Sequence, residues 1–179
     1  MITALSITGA FIIDILLSNF FRIDYGASQY VFTPAFLIIT LLLRSRKMEL
    51  TNALLLGFFV GLIYSFFNLN QLFLYPILFT FLCFLSHSWA LRMSDSLLEL
   101  IVEMTVLLFV KEFLLYLYFL LTGTTGMTLI TWLQIHLFFT ILGNIIPIVI
   151  CVFINRQLEQ IIVQSKEQPN SKKIMFKRK

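Results

Sequence analysis

The sequence predicts an all-α integral membrane protein, and three observations carry that prediction. Apolar residues make up 59% of the chain and charged residues 12%, and the mean hydropathy is +0.93, outside the range of soluble domains. The apolar residues form continuous runs rather than an alternating pattern, which selects helices over a barrel. At about 20 residues per span, the runs allow six transmembrane helices. Residues 1–154 are read as the transmembrane domain and residues 155–179 as a basic cytoplasmic tail.

The first span is expected over residues 2–21. Asp14 lies well inside it, and no basic stretch precedes it, so it reads as a retained helix rather than a cleaved leader. A polar turn with Arg22, Asp24 and Gly26 leads to a second span over 27–43. Pro34 lies in the first half of that span, where a proline costs a helix least. Arg44, Arg46 and Lys47 close it. The third span, 50–67, carries Ala53, Gly57, Gly61 and Ser65 at a constant spacing of four. That spacing draws one stripe nearly free of side chains along a helix, against which a neighbour can pack closely in lipid.

After the uncharged break Asn68 to Gln71, the fourth span runs over 71–91 and ends at Arg92. The fifth, 97–121, is apolar in its middle yet includes Glu99, Glu103, Lys111 and Glu112. A Gly/Thr turn then leads to the sixth, 129–154, in which Gly143, Asn144 and Pro147 predict a kink. With the amino terminus inside, eleven of the 13 basic residues fall on the cytoplasmic side. These are Arg44, Arg46, Lys47, Arg92 and the seven of the tail. The asymmetry predicts that both termini are cytoplasmic. It also accounts for the net charge of +4 without a nucleic-acid partner.

Charges inside a bilayer need partners, because each costs about 2.5–3.5 kcal/mol at the midplane on insertion scales. Asp14 and Lys111 lie at similar depths, roughly 18 and 21 Å at 1.5 Å per residue, and are expected to form a buried ion pair. His87, Glu99 and Glu103 are expected as a polar cluster at the interface. Cys83 and Cys151 read as packing residues, and His136 as a hydrogen-bonded core histidine. No GxSxG, HExxH or metal-ligand spacing is present, so no catalytic residue, metal or cofactor is expected. The basic tail is read either as a topology determinant or as a site of attraction for anionic lipid.

The stretch from Pro34 to Arg92 resembles MreD, the multispanning subunit of the bacterial cell-elongation machinery. The residues that carry the resemblance are PAFLIITLLLRSRK from Pro34, GFFVGLIYSFFN from Gly57 to Asn68, and LFLYPILFTFLCFLSHSWALR ending at Arg92. The family often has an acid where this chain has Ser65, and a Gly/Pro-rich turn where it has Asn68 to Gln71. The resemblance implies a non-enzymatic scaffold in the bacterial plasma membrane that serves peptidoglycan synthesis and cell shape. Its implied partners are an MreC-like single-span protein and, through it, a RodA-type polymerase and a penicillin-binding transpeptidase. The implied fold is similar to that of the substrate-binding subunits of energy-coupling-factor transporters, so a small-molecule uptake subunit is the alternative. Those subunits usually carry an Ala-xxx-Ala face on span one, where this chain has Ser6 and Ala10. For the scaffold, the Ala53, Gly57, Gly61, Ser65 stripe is the candidate partner surface, unless another helix of the same chain fills it.

Overall fold

The computed structural model describes residues 2–20, 32–67 and 73–176, with side chains at 3–18, 32–67 and 73–161. The polar turn at Arg22 to Gly26, the break at Asn68 to Gln71 and the basic side chains from Lys166 onward lie outside the described residues. The fold is all-α. Its helices are α1 (Ile2–Phe20), α2 (Phe36–Ser45), α3 (Leu50–Phe67), α4 (Leu74–Ala90), α5 (Leu97–Leu121), α6 (Leu129–Trp132) and α7 (Phe138–Phe176). A π-helical turn, Leu133–Leu137, joins α6 to α7, so the last two form one long rod and the described residues make six rods.

Among the described residues, three helices are long and apolar enough to cross a membrane: Leu50–Phe67, Leu97–Leu121 and Leu129–Ile161. Thr3–Ser18, Phe36–Ser45 and Leu74–Ala90 are shorter apolar helices. This corrects the expectation of six full spans, and the placing of both termini on the cytoplasmic side loses its basis with it. The physical reason is clearest at α2. Hydropathy runs without interruption through Pro34, but the backbone from Phe32 to Ala35 is not helical. A proline disfavours helical geometry in the residue before it, so the helix starts only at Phe36. Its 10 residues rise about 15 Å, half the thickness of a bilayer core.

The expected spans at 50–67 and 97–121 match α3 and α5 residue for residue. Ser96 starts α5 by accepting a hydrogen bond from the Glu99 amide at 3.3 Å, and Thr128 starts α6 in the same way through the Thr131 amide. The last rod is helical through Gly143, Asn144 and Pro147 and continues past residue 154. Its departure from α geometry lies earlier, in the π turn that carries His136.

The core is centred on α2, with eight of its ten residues buried. Around it pack Leu78, Phe79 and Leu82 of α4, Met104, Leu107 and Leu108 of α5, and Ile148 and Val152 of α7. Helix α2 runs parallel to α7. Asn144 Nδ2 donates to the Thr33 carbonyl at 2.8 Å, Thr40 Oγ1 meets Cys151 Sγ at 3.7 Å, and Lys47 reaches Glu159 at 2.7 Å. The near-constant sequence offset of these contacts is that of two helices advancing together.

Candidate functional site

The small-residue stripe on α3 is buried at every position, Ala53, Gly57, Gly61 and Ser65, and α4 of the same chain fills it. A Cβ on Gly61 would lie 2.6 Å from the Tyr75 carbonyl oxygen and 2.7 Å from Pro76 Cα. One on Gly57 would lie 2.9 Å from Cys83 Sγ and 3.0 Å from the Phe79 carbonyl. Backbone approaches backbone there, which only glycine permits. Ser65 completes the seam by donating to the Gly61 carbonyl at 3.0 Å. The stripe therefore serves the α3–α4 hairpin, not an external partner.

Asp14 also differs from expectation. Its carboxylate accepts hydrogen bonds from the Phe36 amide at 2.9 Å and the Leu37 amide at 2.8 Å, the first free donors of α2. Residue Ala35, at the cap position, has no side chain able to cap, so a carboxylate from another helix satisfies the α2 amino end. Anions are favoured at that position by the helix dipole, and each charge-assisted hydrogen bond contributes about 1.5–3 kcal/mol. Asn144 holds the preceding Thr33 carbonyl. Irregular backbone is thus tolerated inside an apolar bundle because protein groups satisfy it.

Lys111 pairs with its neighbour Glu112, Nζ to Oε1 at 2.7 Å, and both are buried. The expected Asp14–Lys111 ion pair is not the contact made, although both residues line one small cavity with Pro34 and Tyr64. The second carboxylate oxygen of Glu112 lies 4.0 Å from His136 Nδ1. The His136 ring stacks on Trp132, whose indole stacks on Tyr116 at 4.7 Å between centroids. The π turn thus lies beside a buried Lys–Glu–His set. Adjacent residues on a helix point some 100° apart, so the sequence alone matches Lys111 by depth to Asp14 and not to its neighbour Glu112.

The expected cluster of His87, Glu99 and Glu103 separates. Glu99 is half-buried in the first turn of α5 and accepts from Ser94 Oγ at 2.5 Å. His87 is half-buried, and its Nδ1 has no hydrogen-bond partner. Glu103 is buried and binds Arg46 and Ser86 Oγ, the latter at 3.0 Å. Arg46 also reaches Asp95 at 2.9 Å, and Lys47 bridges Asp95 at 3.5 Å and Glu159 at 2.7 Å. This network ties the ends of α2, α4 and α5 to the middle of α7. Partial burial raises the Asp95 carboxyl, but the Arg46 hydrogen bond and the charges of Lys47 and Arg46 outweigh it and hold it below its ordinary value.

Among the described residues, no group of three or more His, Cys, Asp or Glu side chains is placed to hold a metal ion. The polar groups instead cap, pair and fasten helix ends. Compared with protein-family models, curated proteins and solved structures, the chain matches none.

Proposed function

We propose that the chain is a non-enzymatic scaffold of the bacterial cell-elongation machinery, an MreD-like protein of the plasma membrane that binds an MreC-like single-span partner. Through that partner it would meet a RodA-type polymerase and a penicillin-binding transpeptidase. The observation that supports this reading most is the packing of the segment that carries the resemblance. Between Pro34 and Arg92, α2 is buried on nearly all sides and α3 is locked to α4 through Gly57 and Gly61. The outward side of that unit is aromatic, with Phe58, Phe59, Phe66, Phe81 and Phe84 exposed. A rigid, shaped apolar face suits a partner's spanning helix, because association in lipid depends on packing rather than on escape from water.

The test is recovery of the tagged protein from native membranes, with identification of what accompanies it, beside depletion in a rod-shaped host. The reading expects a single-span wall-synthesis protein in stoichiometric amount and rounded cells on depletion. Recovery with an ATPase-driven uptake complex, or normal shape after depletion, would overturn it.

A further inference from the structure

We propose that the groove between α1, α2 and α7 is a binding site for an anionic phospholipid, with one acyl chain along the groove and the phosphate at Arg44. The groove has a volume of about 270 Å³. Its walls are one face from each helix, through Gly9 and Ile13 of α1, Thr40 and Arg44 of α2, and Ile154 and Asn155 of α7. On each helix the lining residues extend over nine positions, so at 1.5 Å per step the groove is about 12 Å long. Ile13 and Ile154 are exposed at its rim, so it opens sideways onto the molecular surface.

Arg44 identifies the occupant. Of the basic cluster at the α2 end, Arg46 takes Asp95 and Glu103, and Lys47 takes Asp95 and Glu159. Arg44 is 7% exposed and lines the groove, and its guanidinium leaves Nε and Nη2 without hydrogen-bond partners. Glu159, the nearest acid to influence it, is engaged by Lys47 and by Asn155 Nδ2 at 2.8 Å. A buried guanidinium with free donors calls for an anion with oxygen acceptors, and its planar fork suits a phosphate. An apolar channel running away from that phosphate suits an acyl chain.

Gly9 supplies an independent observation. A Cβ built there meets nothing within 4 Å. Glycine is unfavourable within a helix, and no close helix contact requires it at this position. What its missing side chain leaves is the open floor of the groove.

The experiment is native mass spectrometry of the full chain released from detergent, with phosphatidylglycerol or phosphatidylethanolamine added at equal concentration. The wild type should retain one phosphatidylglycerol with at least tenfold preference over phosphatidylethanolamine. Gly9→Phe starts from a Cβ that meets nothing within 4 Å and places its ring in the groove, so it should remain folded, checked by its melting, and lose the bound lipid. Arg44→Gln should retain a lipid but lose the preference, and Arg44→Lys should restore part of it. Equal retention of both lipids by the wild type overturns the headgroup assignment. A preference that persists in Arg44→Gln assigns the selectivity to the basic tail and overturns it as well. Unchanged retention in Gly9→Phe, or a co-purifying protein displaced by that variant in place of lipid, overturns the groove as a lipid site.

Discussion

The α3–α4 seam and the α1–α2–α7 junction solve the same packing problem in opposite ways. At the seam, Gly57 and Gly61 bring backbone against backbone, and Tyr64, Tyr75 and Phe79 close the contact with rings 4.7–6.0 Å apart. At the junction, apolar packing is fixed by single polar links: Asp14 to two amides, Asn144 to one carbonyl, and Thr40 to Cys151. The first interface is continuous and closed. The second is pinned at points and leaves a groove between the pins. A glycine belongs to both, and its meaning depends on what faces it. Gly61 permits a neighbour's approach, whereas Gly9 leaves a space open.

Filling the closed seam should therefore do the most damage. Gly61→Leu drives a side chain into the Tyr75–Pro76 backbone, which cannot rotate away as a flexible side chain would. Overpacking costs about 1–3 kcal/mol, occasionally more, and this site should lie at the top of that range or beyond. Abundance and melting in detergent should both fall sharply. A variant that melts like wild type would mean the seam is not closed.

Asp14→Ala tests the pinned side. It removes two charge-assisted acceptors and leaves the Phe36 and Leu37 amides unsatisfied, a loss of about 3 kcal/mol. Asp14→Asn keeps an acceptor and should lose roughly half as much. The double change Asp14→Leu with Lys111→Leu should melt no higher than Asp14→Leu alone, since Lys111 is paired with Glu112. Rescue by the double change would restore a direct Asp14–Lys111 partnership.

These two regions were unequally legible in the sequence. The seam announces itself, because four small residues at a spacing of four can only be a close-packing face. What remained open was the identity of the neighbour, which residue spacing does not encode. The α2 entry was almost silent. A carboxylate bound to backbone amides leaves no complementary charge elsewhere in the chain, so on sequence alone Asp14 matches Lys111, the lysine at similar depth. Pro34 is the available signal, but by hydropathy it counts as a tolerated residue within a span and not as the point where the helix begins. The count of six spans failed for the same reason: hydropathy measures which residues avoid water and not where a helix starts. The groove was illegible because it is made of three helix faces, each unremarkable alone.

A smaller effect of opposite sign separates the two glycine roles. Gly9→Ala adds a Cβ to open space and removes the helix penalty of glycine, so it should stabilise by about 0.5–1 kcal/mol. The same substitution at Gly57 places the Cβ 2.9 Å from Cys83 Sγ and 3.0 Å from a carbonyl, and should destabilise. Melting temperatures of the two variants, measured side by side, should move in opposite directions. If both fall, Gly9 is not at an open position.

Acid should produce the smallest effect and should distinguish the two regions without any substitution. Asp95 is held below its ordinary carboxyl value by Arg46 and Lys47, so in the folded protein it binds its proton less readily than in the unfolded chain. Its contribution is therefore complete above the unfolded value, near 3.8, and is lost as pH falls through the lower folded value. Because Asp95 is mostly exposed, the loss should be only a few tenths of a kcal/mol, in the range of surface ion pairs. It should nevertheless be local. Between neutral pH and a pH well below 3.8, hydrogen-exchange protection relative to the intrinsic rate should fall at the end of α2 and around Asn155 to Glu159 of α7, where the network fastens. The middle of the α3–α4 seam holds no carboxylate, and its amides should keep their protection relative to the intrinsic rate at each pH. Equal loss of protection in both regions would show that acid acts through global unfolding, and that the network at Asp95 does not fasten the junction separately.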